Sequence, residues 1–139
     1  MIDSITDGPL SCERVLIVDD DLEVLESLGE LLVSEGVWVV HGARSLAEAE
    51  GLLAQGFRPS AVVLDLLLDG DHGEDFAHRL KADPAYRGVP VIALSGDHVA
   101  LEQVGSVVER SLLKPADPAE LMTALREVCL LETAGARAA

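Results

Sequence analysis

Five polar residues in this sequence stand at the ends of short apolar runs. Asp19 and Asp20 follow the run from Val15 to Val18, and Asp65 follows Ala61 to Leu64. Ser95 follows Val91 to Leu94, and Lys114 follows Leu112 and Leu113. If those runs are neighbouring parallel strands, all five groups converge on one edge of a sheet. Three carboxylates, a hydroxyl and an ammonium at one point cost free energy to assemble, because like charges at close range raise one another's pKa or require a cation. The simplest occupant is a divalent metal together with an anionic group, above all a phosphoryl.

The elements that would position these groups follow from the pattern of the chain. The strand from Arg14 to Val18 is continuously apolar, as in a strand covered on both faces. Asp21 opens a helix in which Leu22, Leu25, Leu28 and Leu32 recur at helical spacing, and Glu35-Gly36 stops it. A second strand is expected over Val37 to Val40. Ser45, with Glu48 three residues on, forms a capping box for a helix reaching Gln55-Gly56. The third strand runs from Ser60 to Leu64, and Asp69 to Gly73 reads as a loop. Glu74 to Ala82 forms a helix closed by Asp83-Pro84, and the fourth strand is Val89 to Leu94. A short, weak helix covers His98 to Val107, the fifth strand ends over Ser111 to Leu113, and Asp117-Pro118 starts a last helix reaching about Leu131. Alternation of this kind predicts a parallel α/β sheet with right-handed crossovers and helices on both faces. In such sheets ligands bind at the carboxyl ends of the strands, where the five polar residues fall.

The expected organisation is an N-terminal tail over 1–13, one domain over 14–131 and a C-terminal tail over 132–139. The chain has 139 residues, of which 49% are hydrophobic, enough for one core. No apolar stretch approaches the length of a membrane span, and the first residues lack a signal-peptide pattern. Cys12 and Cys129 lie near the ends and form no CxxC pair. They suggest packing thiols in a reduced cytoplasm rather than a disulfide framework or zinc site. The 25 acidic and 10 basic residues give a net charge of -15, which argues against nucleic-acid contact and against anionic membrane surfaces.

The motifs Val15-Leu16-Ile17-Val18-Asp19-Asp20-Asp21, Val62-Val63-Leu64-Asp65-Leu66, Leu94-Ser95-Gly96 and Leu113-Lys114-Pro115 occur in order on the right elements. With them the chain resembles the receiver domains of bacterial two-component response regulators, of the single-domain, chemotaxis-regulator-like kind, over about residues 14–131. The resemblance implies a flavodoxin-like five-stranded parallel sheet in the order 2-1-3-4-5 with five helices. It implies that Asp65 is the phosphoacceptor, a nucleophile that becomes an aspartyl phosphate. It further implies that Mg²⁺, or Mn²⁺, is held by Asp20 directly, by Asp19 through water, by Asp65 and by the Leu67 carbonyl. Lys114 would pair with the phosphoryl oxygens, and Ser95 would hydrogen-bond one of them. Gly96 would leave room for the donor, and Pro115 would follow a cis peptide. The implied donor is a histidine kinase or histidine phosphotransfer protein, and the output is protein binding in a cytoplasmic phosphorelay. Such a domain is no enzyme beyond its own phosphorylation and dephosphorylation.

Taken alone, Asp19 to Asp21 would suit a helix N-terminus, and Asp65 or Ser95 an ordinary strand end; it is their combination with Lys114 that points to chemistry. The four histidines, His41, His72, His78 and His98, have no partners at metal-ligand spacing and read as structural or solvated, and Trp38 reads as packing. Three features depart from the family pattern. The proline expected four residues after the acceptor is Asp69, with Asp71 adding further charge near the metal. The switch aromatic three residues before the lysine is Ser111. The stretch from Ser95 to Lys114 is short, so the fourth helix should be truncated or mobile. Two other functions fit part of this pattern. A pseudo-receiver acting as a phosphorylation-independent interaction module would have lost an acid, the acceptor or the lysine, and none is lost. A Mg²⁺-dependent aspartyl-phosphate phosphohydrolase would carry an aspartate two residues after its nucleophile, where this chain has Leu67.

Overall fold

The computed structural model describes residues 13–37, 39–68 and 70–138, and side chains up to residue 129. Expectations for the first twelve residues, Trp38 and Asp69 lie outside the described residues. The chain alternates β1 (Arg14–Val18), α1 (Leu22–Ser34), β2 (Val39–Ala43), α2 (Leu46–Ala54), β3 (Ala61–Asp65), α3 (Gly73–Ala82), β4 (Val91–Ser95), α4 (His98–Val104), β5 (Arg110–Leu113) and α5 (Pro118–Ala138). The strands form one parallel sheet in the order β2-β1-β3-β4-β5, the arrangement expected from the sequence.

Side chains alternate across each strand, so the sheet feeds two cores. Val15, Ile17, Val63 and Ile92 pack with Leu32 of α1 and with Leu121, Leu125 and Val128 of α5. Leu16, Val18, Val62, Leu64 and Ala93 pack with Ala49 of α2, Phe76 and Leu80 of α3, and Val104 of α4. Burial on both faces explains why these strands read as unbroken apolar runs. The caps are also those the sequence specifies. Asp21 Oδ1 accepts the Glu23 N–H at 2.9 Å, Ser45 Oγ accepts that of Glu48 at 3.1 Å, and Asp117 Oδ1 accepts that of Ala119 at 2.8 Å. Such caps each contribute about 1 kcal/mol.

Five expectations change. The second strand is Val39–Ala43 rather than Val37 to Val40, because the register pairs Arg14 with Val39 and Val18 with Ala43. Val37 instead closes α1: it is buried, and its N–H donates to the Leu32 carbonyl at 3.0 Å. The expected loop before α3 contains a small antiparallel hairpin, Leu67–Leu68 against Asp71–His72, turning at Gly70 with φ +77°. The fourth helix is short, as expected, but stops at Val104; Gly105, with φ +49°, turns the chain into a 3₁₀ segment over Gly105–Val107. The last helix continues to Ala138, past the expected end near Leu131. Finally, Cys129 is buried and disulfide-bonded where a free packing thiol was expected; Cys12 lies outside the described residues. No helix among the described residues is long and apolar enough to cross a membrane.

Candidate phosphoacceptor and metal site

Register brings the site together. Val18 lies beside Leu64, Asp65 beside Leu94, and Ser95 beside Leu113, so the residues at the carboxyl ends of β1, β3, β4 and β5 adjoin. Asp19, Asp65 and Ser95 are the buried polar residues at this edge, with 1%, 5% and 0% exposure. Carboxylate oxygens of Asp19, Asp20 and Asp65 lie within 4.8 Å of one another, close enough to share one cation.

Lys114 Nζ donates to Asp19 Oδ2 and to Asp65 Oδ2, both at 3.0 Å. The remaining Asp19 oxygen accepts the Asp21 N–H at 2.9 Å, and Asp65 Oδ1 accepts the Leu67 N–H at 3.0 Å. Burial pushes the Asp65 carboxyl above its ordinary value; the Leu67 N–H and the Lys114 ammonium pull the other way and do not cancel it. For Lys114, burial favours the neutral amine, but the hydrogen bonds to Asp19 and Asp65 outweigh it and raise its pKa. One ammonium thus serves two carboxylates, and the ensemble stays anionic. An oxygen-rich, anionic pocket with few protein ligands suits Mg²⁺, which keeps waters and takes one or two carboxylates plus phosphate oxygens.

Ser95 Oγ accepts the Asp97 N–H at 3.1 Å, and Asp97 Oδ1 caps α4 through the Val99 N–H at 2.9 Å. The Lys114–Pro115 peptide is cis, as expected. A Cβ at Gly96 would meet nothing within 4 Å, so this turn is open. Ser111 is exposed. The other lysine, Lys81, binds the Glu109 carboxylate at 2.9 Å and the Val89 carbonyl at 3.0 Å, tying α3 to the chain segments that lead into β4 and β5. His41 packs edge-on to Phe57. Sequence reasoning overlooked Asp97, although an aspartate directly before a helix is a readable cap signal.

Residues 15–126 match the family model described as the response regulator receiver domain. The chain belongs to that family. It is 32% identical over 120 residues to the DNA-binding response regulator MtrA of Mycobacterium tuberculosis (strain ATCC 25618 / H37Rv), covering 82% of this chain and 49% of MtrA. It is 30% identical over 129 residues to the response regulator Rre1 of Synechocystis, covering 89% of this chain and 54% of that protein. This receiver domain therefore spans about half the length of the curated relatives it matches. Among solved structures, the CheY-like receiver domain protein of Methanospirillum hungatei JF-1 shares its fold with TM-score 0.78 at 22% identity, over 90% of this chain and 99% of that one. The response regulator TrrA of Thermotoga maritima, solved with Mg²⁺ and BeF, shares it with TM-score 0.74 at 22% identity, over 84% and 98%. Receiver domains are signalling domains of two-component systems.

Proposed function

We propose that this receiver domain accepts a phosphoryl group on Asp65 with Mg²⁺ and signals by binding another protein. The observation that carries this reading is the double contact of Lys114 with Asp19 and Asp65, beside a carboxylate cluster able to share a cation. An Asp65 oxygen attacks phosphorus, the bond from phosphorus to the donor atom breaks, and the donor departs with that electron pair. Asp20, Asp19 through water, Asp65 and the Leu67 carbonyl would hold Mg²⁺ or Mn²⁺, which supplies charge neutralisation on the phosphoryl oxygens. Lys114 would move its hydrogen bonds to the transferred group, and Ser95, buried at the same edge, would donate to one of its oxygens. The open turn at Gly96 would leave space on the donor side, and Pro115 lies in the connection from β5 to α5, next to the lysine. A cavity of about 580 Å³ between α1 and the start of α5, lined by Val24, Leu28, Lys114 and Pro115, opens beside the lysine.

In this reading the donor is a histidine kinase or histidine phosphotransfer protein, and the only catalysis is the domain's own phosphorylation and dephosphorylation. The proposed bounds are 14–131. The net charge of -15 argues against nucleic-acid contact by this chain itself. A cytoplasmic location follows from the two-component reading; the bonded Cys129 no longer supports it.

The test is incubation with acetyl phosphate and Mg²⁺, followed by hydroxylamine, which cleaves acyl phosphates. A hydroxylamine-labile phosphoryl on Asp65, with no turnover of p-nitrophenyl phosphate, supports the phosphoacceptor reading. Turnover would favour a phosphohydrolase, and failure to label a pseudo-receiver.

A further inference from the structure

Gly73, the first residue of α3, occupies a point where no side chain fits. A Cβ there would lie 2.5 Å from the Asp65 carbonyl oxygen and 2.9 Å from Leu66 Cα. Both are backbone atoms and cannot rotate aside. Gly73 has no positive φ, so the requirement is close approach rather than backbone freedom. Its N–H donates to the Leu66 carbonyl at 2.9 Å. That bond brings the far end of the hairpin back onto the residue after Asp65. The first residue of the hairpin, Leu67, in turn donates its N–H to Asp65 Oδ1 at 3.0 Å.

We propose that Gly73 is a positioning residue for the acceptor site. By letting α3 begin against the backbone of Asp65, it holds the hairpin so that the Leu67 N–H and carbonyl stand in fixed relation to the Asp65 carboxylate. The inference rests on the reading of Asp65 and Leu67 as acceptor and metal ligand. Ordinary contact begins at 3.4 Å, so an alanine must drive α3 and the Asp65 carbonyl apart by about 1 Å, a misplacement that can cost about a hundredfold in positioned chemistry. A purely structural role predicts something different: lower stability with an unaltered site.

The experiment compares wild type, Gly73→Ala and Gly88→Ala. Gly88 is exposed, and a Cβ there meets nothing within 4 Å. The first readout is the Mg²⁺ concentration that gives half the maximal rise in melting temperature, and the second is labelling by acetyl phosphate across the same titration. Gly73→Ala should raise both half-points about tenfold or more, and Gly88→Ala should leave both in place. A Gly73→Ala protein that melts lower but keeps both half-points overturns the proposal. A wild type with no Mg²⁺ response removes the metal-site reading, and this inference with it. Hydrogen exchange on the wild type covers the case in which Gly73→Ala does not fold. Slow exchange at the Gly73 and Leu67 amides supports the closed hairpin, whereas exchange as fast as at Gly88 overturns it.

Discussion

Replacing Lys114 by methionine keeps the length and apolar stem of the side chain and removes the charge shared by Asp19 and Asp65. Those carboxylates are 1% and 6% exposed in their side chains, and the ammonium donates to both at 3.0 Å. Removing one partner of a buried pair costs about 3–5 kcal/mol, because the other is left uncompensated. The lysine side chain is 29% exposed, and solvent screening lowers the figure to about 2–3 kcal/mol. For a domain of this size, each kcal/mol moves the melting temperature by about 2–6 °C. The metal-free Lys114→Met variant should therefore melt about 5–15 °C below wild type at neutral pH. The deficit should shrink as pH falls and Asp65, whose carboxyl burial holds above its ordinary value, takes up its proton. Mg²⁺ should also restore part of it, since a cation present at ten times its Kd contributes about 1.4 kcal/mol. Thermal unfolding followed by circular dichroism, with and without millimolar Mg²⁺, measures both effects. An unchanged melting temperature in the absence of metal would refute the role assigned to the lysine.

Three further outcomes follow from the same geometry. Asp65 has a carboxyl pKa raised by burial above 3.8, so the stability it lends is present below that pH and lost as pH rises through the folded value; metal-free Asp65→Asn should thus be more stable than wild type at pH 7 and converge with it near pH 3, as pH-dependent melting will measure. Asp20→Asn should abolish most of the rise in melting temperature that Mg²⁺ produces in wild type, since Asp20 belongs to the carboxylate cluster; an equal rise in both would remove Asp20 from the site. Hydrogen exchange with and without beryllofluoride and Mg²⁺ should change mainly over residues 95–111, because Ser95 Oγ holds the Asp97 N–H and Asp97 caps α4, while changes confined to α2 and α3 would place the response elsewhere.

The apolar runs and the groups at their ends made the sheet and its functional edge legible, because a strand buried on both faces leaves an unambiguous pattern. Asp21, Ser45 and Asp117 were legible as caps because each side chain acts within two or three residues of itself. What escaped depends on tertiary register. His41 and Gly42 look unlike strand residues, and only pairing with β1 draws them into β2. Asp71 and His72 look like loop, and they pair because Gly70 permits the turn. Gly73 carries no signal in its neighbours at all; its requirement comes from the approach of α3 to the Asp65 backbone. Cys129 escaped because nothing in the residues around a lone thiol marks it as bonded.

The most direct test of the central claim is the intact mass of the protein after incubation with acetyl phosphate and Mg²⁺, for wild type and Asp65→Asn side by side. The account predicts one added phosphoryl, about 80 Da, on the wild type, its loss on removing Mg²⁺, and none on the variant. Equal labelling of both proteins, or no labelling of the wild type, would contradict it.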